Sequence, residues 1–503
     1  MTSGEQSPDL GQGGPGSVGT GSPPIYVPPT RTPVVYPPVR PGSPYPYQAY
    51  PPGVYQAGYP PGWLATPPPA PPKARHSAAR WFVVAICLLF ICAFGGAGAI
   101  VGVADITGLD RTVAAWRTPA AVIAAPPDAN APAAEWTDWA RRALDSSLKD
   151  QAQALVAADE SRFLAPVDPD NQQLVADMKR RYSVLTQMGV GQWTQILRAA
   201  PKPTGERTWD ADIKISYCFG DPTCRTVGLV VSSEWEFKND HLVMVGLEPS
   251  EPDQMGPRPW EVDDLTIGKG DRVVVAASKS NAWRVADAVT AADKAAKVAD
   301  TLAKWESPPS RFVIFLAGPT DWAKWYGHEQ PEWAAAWAVP VSPTVTEVVV
   351  RTQAVQQRGL EQLLTHELTH VTTLAGKRDG ANRSAWWLIE GIADYATMIG
   401  RSIGEYDALA PTRSFVRGRW DGDPAVAPPT VDASLEEASA RYGVAFLAVR
   451  RISDVYGQDK LLEFFGKIVH DNATADVAST QVLGADWATV KADCAQYIRT
   501  ATR

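Results

Sequence analysis

The spacing of apolar and polar positions changes along the chain, and each change marks a different kind of segment. Up to about residue 80 the apolar residues follow neither a period of 2 nor one of 3.6, so no core-facing element is predicted there. Trp81 to Ala104 is one uncharged, mostly apolar run. Residues 105–132 are rich in Ala and Pro and read as a stalk. Helical spacing then predicts helices over Glu135–Leu164 and Asn171–Met188. Strand-like runs follow at Trp193–Arg198, Asp210–Cys218, Arg225–Ser232 and His241–Leu247. A second series begins near Asp271, with strands at Arg272–Ala277, Arg311–Ala317 and Val345–Thr352 and an Ala-rich helix over Ala282–Trp305. Apolar residues at Leu360, Leu363, Leu364, Leu368 and Val371 predict another helix, with Gly376 as its stop. Ser384 is a candidate cap for the next helix. Gly400–Pro429 reads as irregular, and helices are predicted over Leu435–Tyr456, Asp459–Val469 and Ala485–Thr502.

Composition sharpens the N-terminal reading. Residues 1–72 hold 21 of the 44 prolines and 7 of the 15 tyrosines, with Glu5 and Asp9 the only acids. Such a stretch cannot bury a core, so residues 1–80 are expected to be a disordered Pro/Tyr-rich tail with polyproline II character. Tyr36-Pro37-Pro38, Tyr45-Pro46-Tyr47 and Tyr59-Pro60-Pro61 suit a Pro-binding partner; a solvated tail without one accounts for them equally well. Such tails resemble those of many actinobacterial membrane proteins. The 81–104 run is long enough to cross a bilayer core of about 30 Å. Lys73, Arg75 and Arg80 precede it and Asp105 and Asp110 follow, which predicts a single-pass anchor with a cytoplasmic N-terminus and the remaining domains outside the cell.

Cys87 and Cys92 fall inside that run as small apolar residues. Cys218 and Cys224 flank Gly220-Asp221-Pro222 and are candidates for a disulfide across a turn, or for a metal pair that lacks its other two ligands. Cys494 is left over. The formal charge of −8 gives no footprint for nucleic-acid binding. At 503 residues, more than one folded unit is expected. Helices followed by a curved antiparallel sheet make residues 133–255 similar to the cone-shaped domain of nuclear-transport-factor-2-like proteins, with a spacing, presenting or dimerising role.

The chemistry concentrates in His366-Glu367-Leu368-Thr369-His370 and in Glu390. Two histidines four apart share one helix face and can hold one metal ion. Glu367 beside them can take a proton from a metal-bound water as general base. Glu390, on the next helix, is the candidate third ligand, which leaves one position open on a tetrahedral zinc. Asp394 lies one turn further on the same face and can accept the spare N–H of a ligand histidine. Trp322, Trp325, Trp333 and Trp337 cluster upstream as core or as a hydrophobic subsite, and His328 in the same stretch is a lone loop histidine.

His366, Glu367, His370 and Glu390, with Glu390 twenty residues after His370, resemble the gluzincin zinc metallopeptidases of the thermolysin-like, peptidase MA-like group. Trp387 to Tyr395 is similar to the glutamate helix of that group. The Gly-x-Met-Glu-Asn run of its aminopeptidase branch is absent. The resemblance implies an α+β fold: a gluzincin-type domain over residues 270–503, with a mixed sheet and a mainly helical C-terminal part. It implies a Zn²⁺ cofactor and a peptide or protein substrate. It further implies an edge strand before the zinc helix, so that Glu347, Val349 and Arg351 line the substrate cleft. The oxyanion donor it implies is Tyr442, with Tyr395 and Tyr406 as rivals. The function expected is a membrane-anchored extracytoplasmic metallopeptidase. Two alternatives stand beside it: a non-catalytic binding or scaffold protein of the same fold, and an interaction protein working through its tail.

Overall fold

The computed structural model describes residues 125–327, 335–353, 355, 359–377, 383–430 and 433–503. The tail, the 81–104 run with Cys87 and Cys92, most of the stalk, His328 and Trp333 lie outside the described residues. Among the described residues no helix is long and apolar enough to cross a membrane. Those residues are 51% helix and 20% strand, a mixed α+β protein.

Helix α1 (Ala133–Val156) buries Trp136, Trp139, Ala140, Ala143, Leu144, Leu148, Ala152 and Leu155, the three-and-four spacing of one helix face. α2 (Glu160–Leu164) is capped by Asp159 and α3 (Gln172–Met188) by Asn171, whose side chains accept from Arg162 N and Leu174 N. Gly189, at φ +80°, ends α3 in the left-handed conformation that glycine adopts most readily.

The first sheet runs β1-β3-β4-β5, with β1 Val190–Leu197, β3 Thr208–Phe219, β4 Val227–Lys238 and β5 His241–Leu247, all antiparallel; β2 (Lys202–Pro203) pairs with β3. β3 alternates between buried and open positions through Trp209, Ala211, Ile213, Ile215 and Tyr217, so one face meets the core. Cys218 and Cys224 form the disulfide across the turn after β3. Cys494 is a free, buried thiol.

A short helix, α4 (Pro259–Val262), leads into the second sheet, ordered β6-β7-β8-β10-β9. Its strands are β6 Leu265–Lys269, β7 Val273–Ser278, β8 Phe312–Ala317, β9 Ala336–Ser342 and β10 Val345–Arg351. β7, β8 and β10 are parallel, while β6 and β9 add antiparallel to either side. Every residue of β7 and β8 is buried, as expected of central parallel strands covered on both faces. α5 (Val285–Asp300) follows β7, and its Ala288, Ala292, Ala295, Ala296 and Ala299 allow close packing. α6 (Pro319–Lys324) follows β8. The apolar core is continuous across both sheets, from Leu144 through Tyr217 and Val275 to Leu368.

α7 (Leu360–Thr373) packs on α5 and against α8 (Trp386–Thr397). α9 (Leu409–Gly418) lies in the stretch expected to be irregular. Then come α10 (Leu435–Tyr456), α11 (Gln458–Phe465), α12 (Ala475–Ala478) and α13 (Trp487–Ala501) around a second core. His470 Nε2 bonds Thr373 O at 2.7 Å and its ring stacks on Trp305, tying these helices to the end of α7.

Two expectations are corrected here. β10 is an internal strand between β8 and β9, so the sheet edge beside α7 is β9. Pro340, exposed in β9, is the type of residue an edge strand tolerates. Glu347 is 1% exposed and Val349 3%, and neither lines an open cleft. Arg351 is only half-buried, at the C-terminal end of the same internal strand. Ser384 does not cap α8: Ala385 holds that position, and Ser384 lies in the 3-10 turn before it. Trp325 and Trp337 are core residues, and Trp322 packs partly buried against the core.

Candidate metal centre

α7 carries the two histidines through the middle of the fold, and every residue from Leu363 to Thr373 on it is buried. A buried helix with four threonines has hydroxyls to satisfy. Thr365, Thr369 and Thr373 each donate to the carbonyl four residues back, at 2.8, 2.7 and 2.7 Å. Thr372 donates to Thr369 O at 3.0 Å.

α8 brings up Glu390. Its approach to α10 depends on Gly391, where a Cβ would stand 2.6 Å from the carbonyl oxygen of Ala445 and 2.6 Å from Val449 Cγ2. Only a residue without a side chain lets the two backbones meet this closely.

The three donor atoms converge. His366 Nε2 and His370 Nε2 are 3.1 Å apart, His370 Nε2 and Glu390 Oε2 3.2 Å, and His366 Nε2 and Glu390 Oε2 3.3 Å. Tetrahedral ligands at about 2.0–2.1 Å from a small ion stand about 3.3 Å from one another, so this triangle has the size of one face of such a shell. Glu390 Oε1 is buried and has no hydrogen-bond partner, an atom that a cation would satisfy. Among the described residues this is the group of metal-binding side chains with that geometry.

Behind the triangle, His366 Nδ1 donates to Asp394 Oδ1 at 2.8 Å, which turns Nε2 toward the triangle as an acceptor. Asp394 Oδ2 accepts from Tyr406 Oη at 2.5 Å. His366, Glu367, Glu390 and Asp394 are each 0% exposed and His370 1%.

Three carboxylates buried around two imidazoles make a place for positive charge. Burial by itself works against a charged His366, but hydrogen bonds to Asp394 and Glu390 and the charges of Asp394 and Glu367 outweigh it. The imidazole is held well above its usual range. Burial likewise works against a charged Glu390, and His370 and His366 bring its carboxyl down to about 2. The pocket therefore favours positive charge, and His366, His370 and Glu390 are the side chains that could hold a metal ion there.

Tyr442, on α10, is buried with its ring centroid 6.3 Å from that of His366 and 5.0 Å from Trp386. Of its rivals, Tyr395 is turned away: its hydroxyl accepts from Ser453 Oγ at 2.9 Å and donates to Gln458 Oε1 at 3.2 Å. Tyr406 is committed to Asp394. Glu347, expected at the substrate cleft, instead accepts from Tyr326 Oη at 2.6 Å and from Tyr217 Oη at 3.5 Å, near the buried Arg258. Sequence reading missed the part of Tyr406, because it lies twelve positions after Asp394, past a helix end and a turn, and no periodicity links them.

No protein-family model matches the chain, and no curated protein matches it.

Proposed function

We propose that the chain is a zinc-dependent metallopeptidase of gluzincin type, anchored in the membrane by residues 81–104 with its folded part outside the cell. The observation that carries this reading is the convergence of His366 Nε2, His370 Nε2 and Glu390 Oε2 within 3.1–3.3 Å, one residue away from a buried Glu367. The gluzincin-type domain occupies about residues 270–503, and residues 133–255 form the smaller domain similar to the nuclear-transport-factor-2-like cone.

His366 and His370 bind through Nε2 and Glu390 through Oε2. A zinc ion held there supplies Lewis acidity, lowering the pKa of water and polarising a carbonyl. Asp394 fixes the His366 tautomer from behind. Glu367 takes the proton of the attacking water and passes it to the leaving amine. Tyr442 is the donor for the developing oxyanion, a role that requires about 2.7–3.1 Å to that oxygen. The Pro/Tyr-rich tail serves a cytoplasmic Pro-binding partner.

The complete burial of the five central side chains favours a second reading, a metal-holding scaffold that cleaves nothing. One experiment separates the two. The full-length chain, loaded with zinc, is incubated with a broad peptide library with and without a chelator. Chelator-sensitive cleavage supports the peptidase. Bound zinc with no cleavage favours the scaffold.

A further inference from the structure

We infer that Tyr406 is a positioning residue of the metal centre, setting the ligand strength of His366 through Asp394. The inference rests on the reading of His366, His370 and Glu390 as metal ligands.

Tyr406 is 4% exposed, and its hydroxyl donates to Asp394 Oδ2 at 2.5 Å, while Asp394 Oδ1 takes the Nδ1–H of His366 at 2.8 Å. Both oxygens of the carboxylate are thus engaged on opposite sides. A carboxylate held at one oxygen only can rotate about its last torsion and release the imidazole. Held at both, it cannot.

The placing of Tyr406 is built rather than incidental. It follows a 3-10 turn, Ile403–Glu405, closed by a capping box in which Glu405 Oε2 accepts from Ser402 N at 2.8 Å and from Ser402 Oγ at 2.9 Å. Tyr406 N donates to Ile403 O at 3.0 Å. Its ring packs at 4.4 Å on Phe446, itself 0% exposed on α10. The turn fixes the backbone, Phe446 fixes the ring, and the hydroxyl has one direction left.

Tyr406→Phe removes the hydroxyl and keeps the ring, so it is the variant to test. Zinc affinity of the full-length chain is measured by competition with a chromogenic chelator, for the parent, Tyr406→Phe, Asp394→Ala and the double variant. The visible spectrum of the cobalt form reports ligand geometry in each. We expect Tyr406→Phe to bind zinc about 10–100-fold more weakly with a shifted cobalt spectrum. The metal-free variant should melt somewhat below the parent, because Asp394 Oδ2 loses its buried donor, so affinities are compared at a temperature where both chains are folded. In the Asp394→Ala background, Tyr406→Phe should add nothing, because its path runs through Asp394. Unchanged affinity in Tyr406→Phe overturns the inference, as does an equal loss in both backgrounds. A folded parent that binds no metal overturns the functional reading itself, a different outcome from a binding parent matched by its variant.

Discussion

Tyr326 donates its phenolic hydrogen to Glu347 Oε2 across 2.6 Å, at a point where both side chains are 1% exposed. The pair joins the turn after α6 to β10, and Tyr217 of β3 reaches the same carboxylate from the first sheet. The buried guanidinium of Arg258 completes the cluster, 5.4 Å over the Tyr326 ring. Glu347 is therefore part of the seam between the two sheets. Tyr326→Phe would leave a buried carboxylate oxygen without its donor, which costs about 1–3 kcal/mol. Chemical denaturation of parent and variant measures it. Equal midpoints would show that the bond contributes nothing.

The continuous core makes a second expectation. Because apolar contacts run unbroken from the α1–α3 layer into β7 and α7, the two sheets and the helices that share this core should unfold in one cooperative transition. Calorimetry checks this. Two well-separated transitions would mean that the sheets are independently stable.

Gly391 is predicted to be intolerant of any side chain. Gly391→Ala pushes α8 away from Ala445 and carries Glu390 with it, at a cost of about 1–3 kcal/mol. The loss should appear both in melting temperature and in metal affinity. A variant that melts and binds as the parent would show that the two backbones have room to part.

Asp177 gives a pH dependence away from the metal. It accepts from Arg180 at 2.5 Å and Arg181 at 2.7 Å, and Arg180 goes on to the carbonyls of Glu261, Asp263 and Trp260. Burial raises the Asp177 carboxyl, but the two arginines outweigh it and hold it below the usual value of 3.8. A carboxyl lowered in the folded state adds stability above its unfolded pKa, and that stability is lost as pH falls through the folded one. Asp177→Asn should therefore be less stable than the parent by about 1 kcal/mol or less at neutral pH, with the gap closing below about pH 4. A gap that widens on acidification would contradict the assignment.

Glu367→Gln should keep zinc and lose turnover, because the amide cannot take the proton of the attacking water. Peptide cleavage at the parent rate would remove Glu367 as the base.

Much of this was legible in the sequence, for identifiable reasons. The strand-like runs of β3 and β4 and the helix expected from Asn171 are local signals, and the structure has elements at those places. His366 with His370, and Glu390 with Asp394, could each be paired because helical spacing sets one face; joining the two pairs rested on the resemblance to the gluzincins and on a metal's need for a third ligand. Features that depend on long-range pairing were not legible. Whether β10 is an edge is decided by β9, whose AWAVPVS run with its proline gives a weak strand signal. β6 was hidden by Gly268, which is there because a Cβ would press into Val285 and Val289 of α5. α9 was hidden by Pro411, although a proline in the first turn of a helix is harmless. Tyr406 belongs to the same class, because only the folded chain brings it to Asp394.

The most direct test of the central claim is zinc per chain in the purified full-length protein, beside the Glu390→Ala variant. The account predicts about one zinc in the parent and clearly less in the variant, with both chains folded. A well-folded parent that takes up no zinc even when metal is supplied would contradict it.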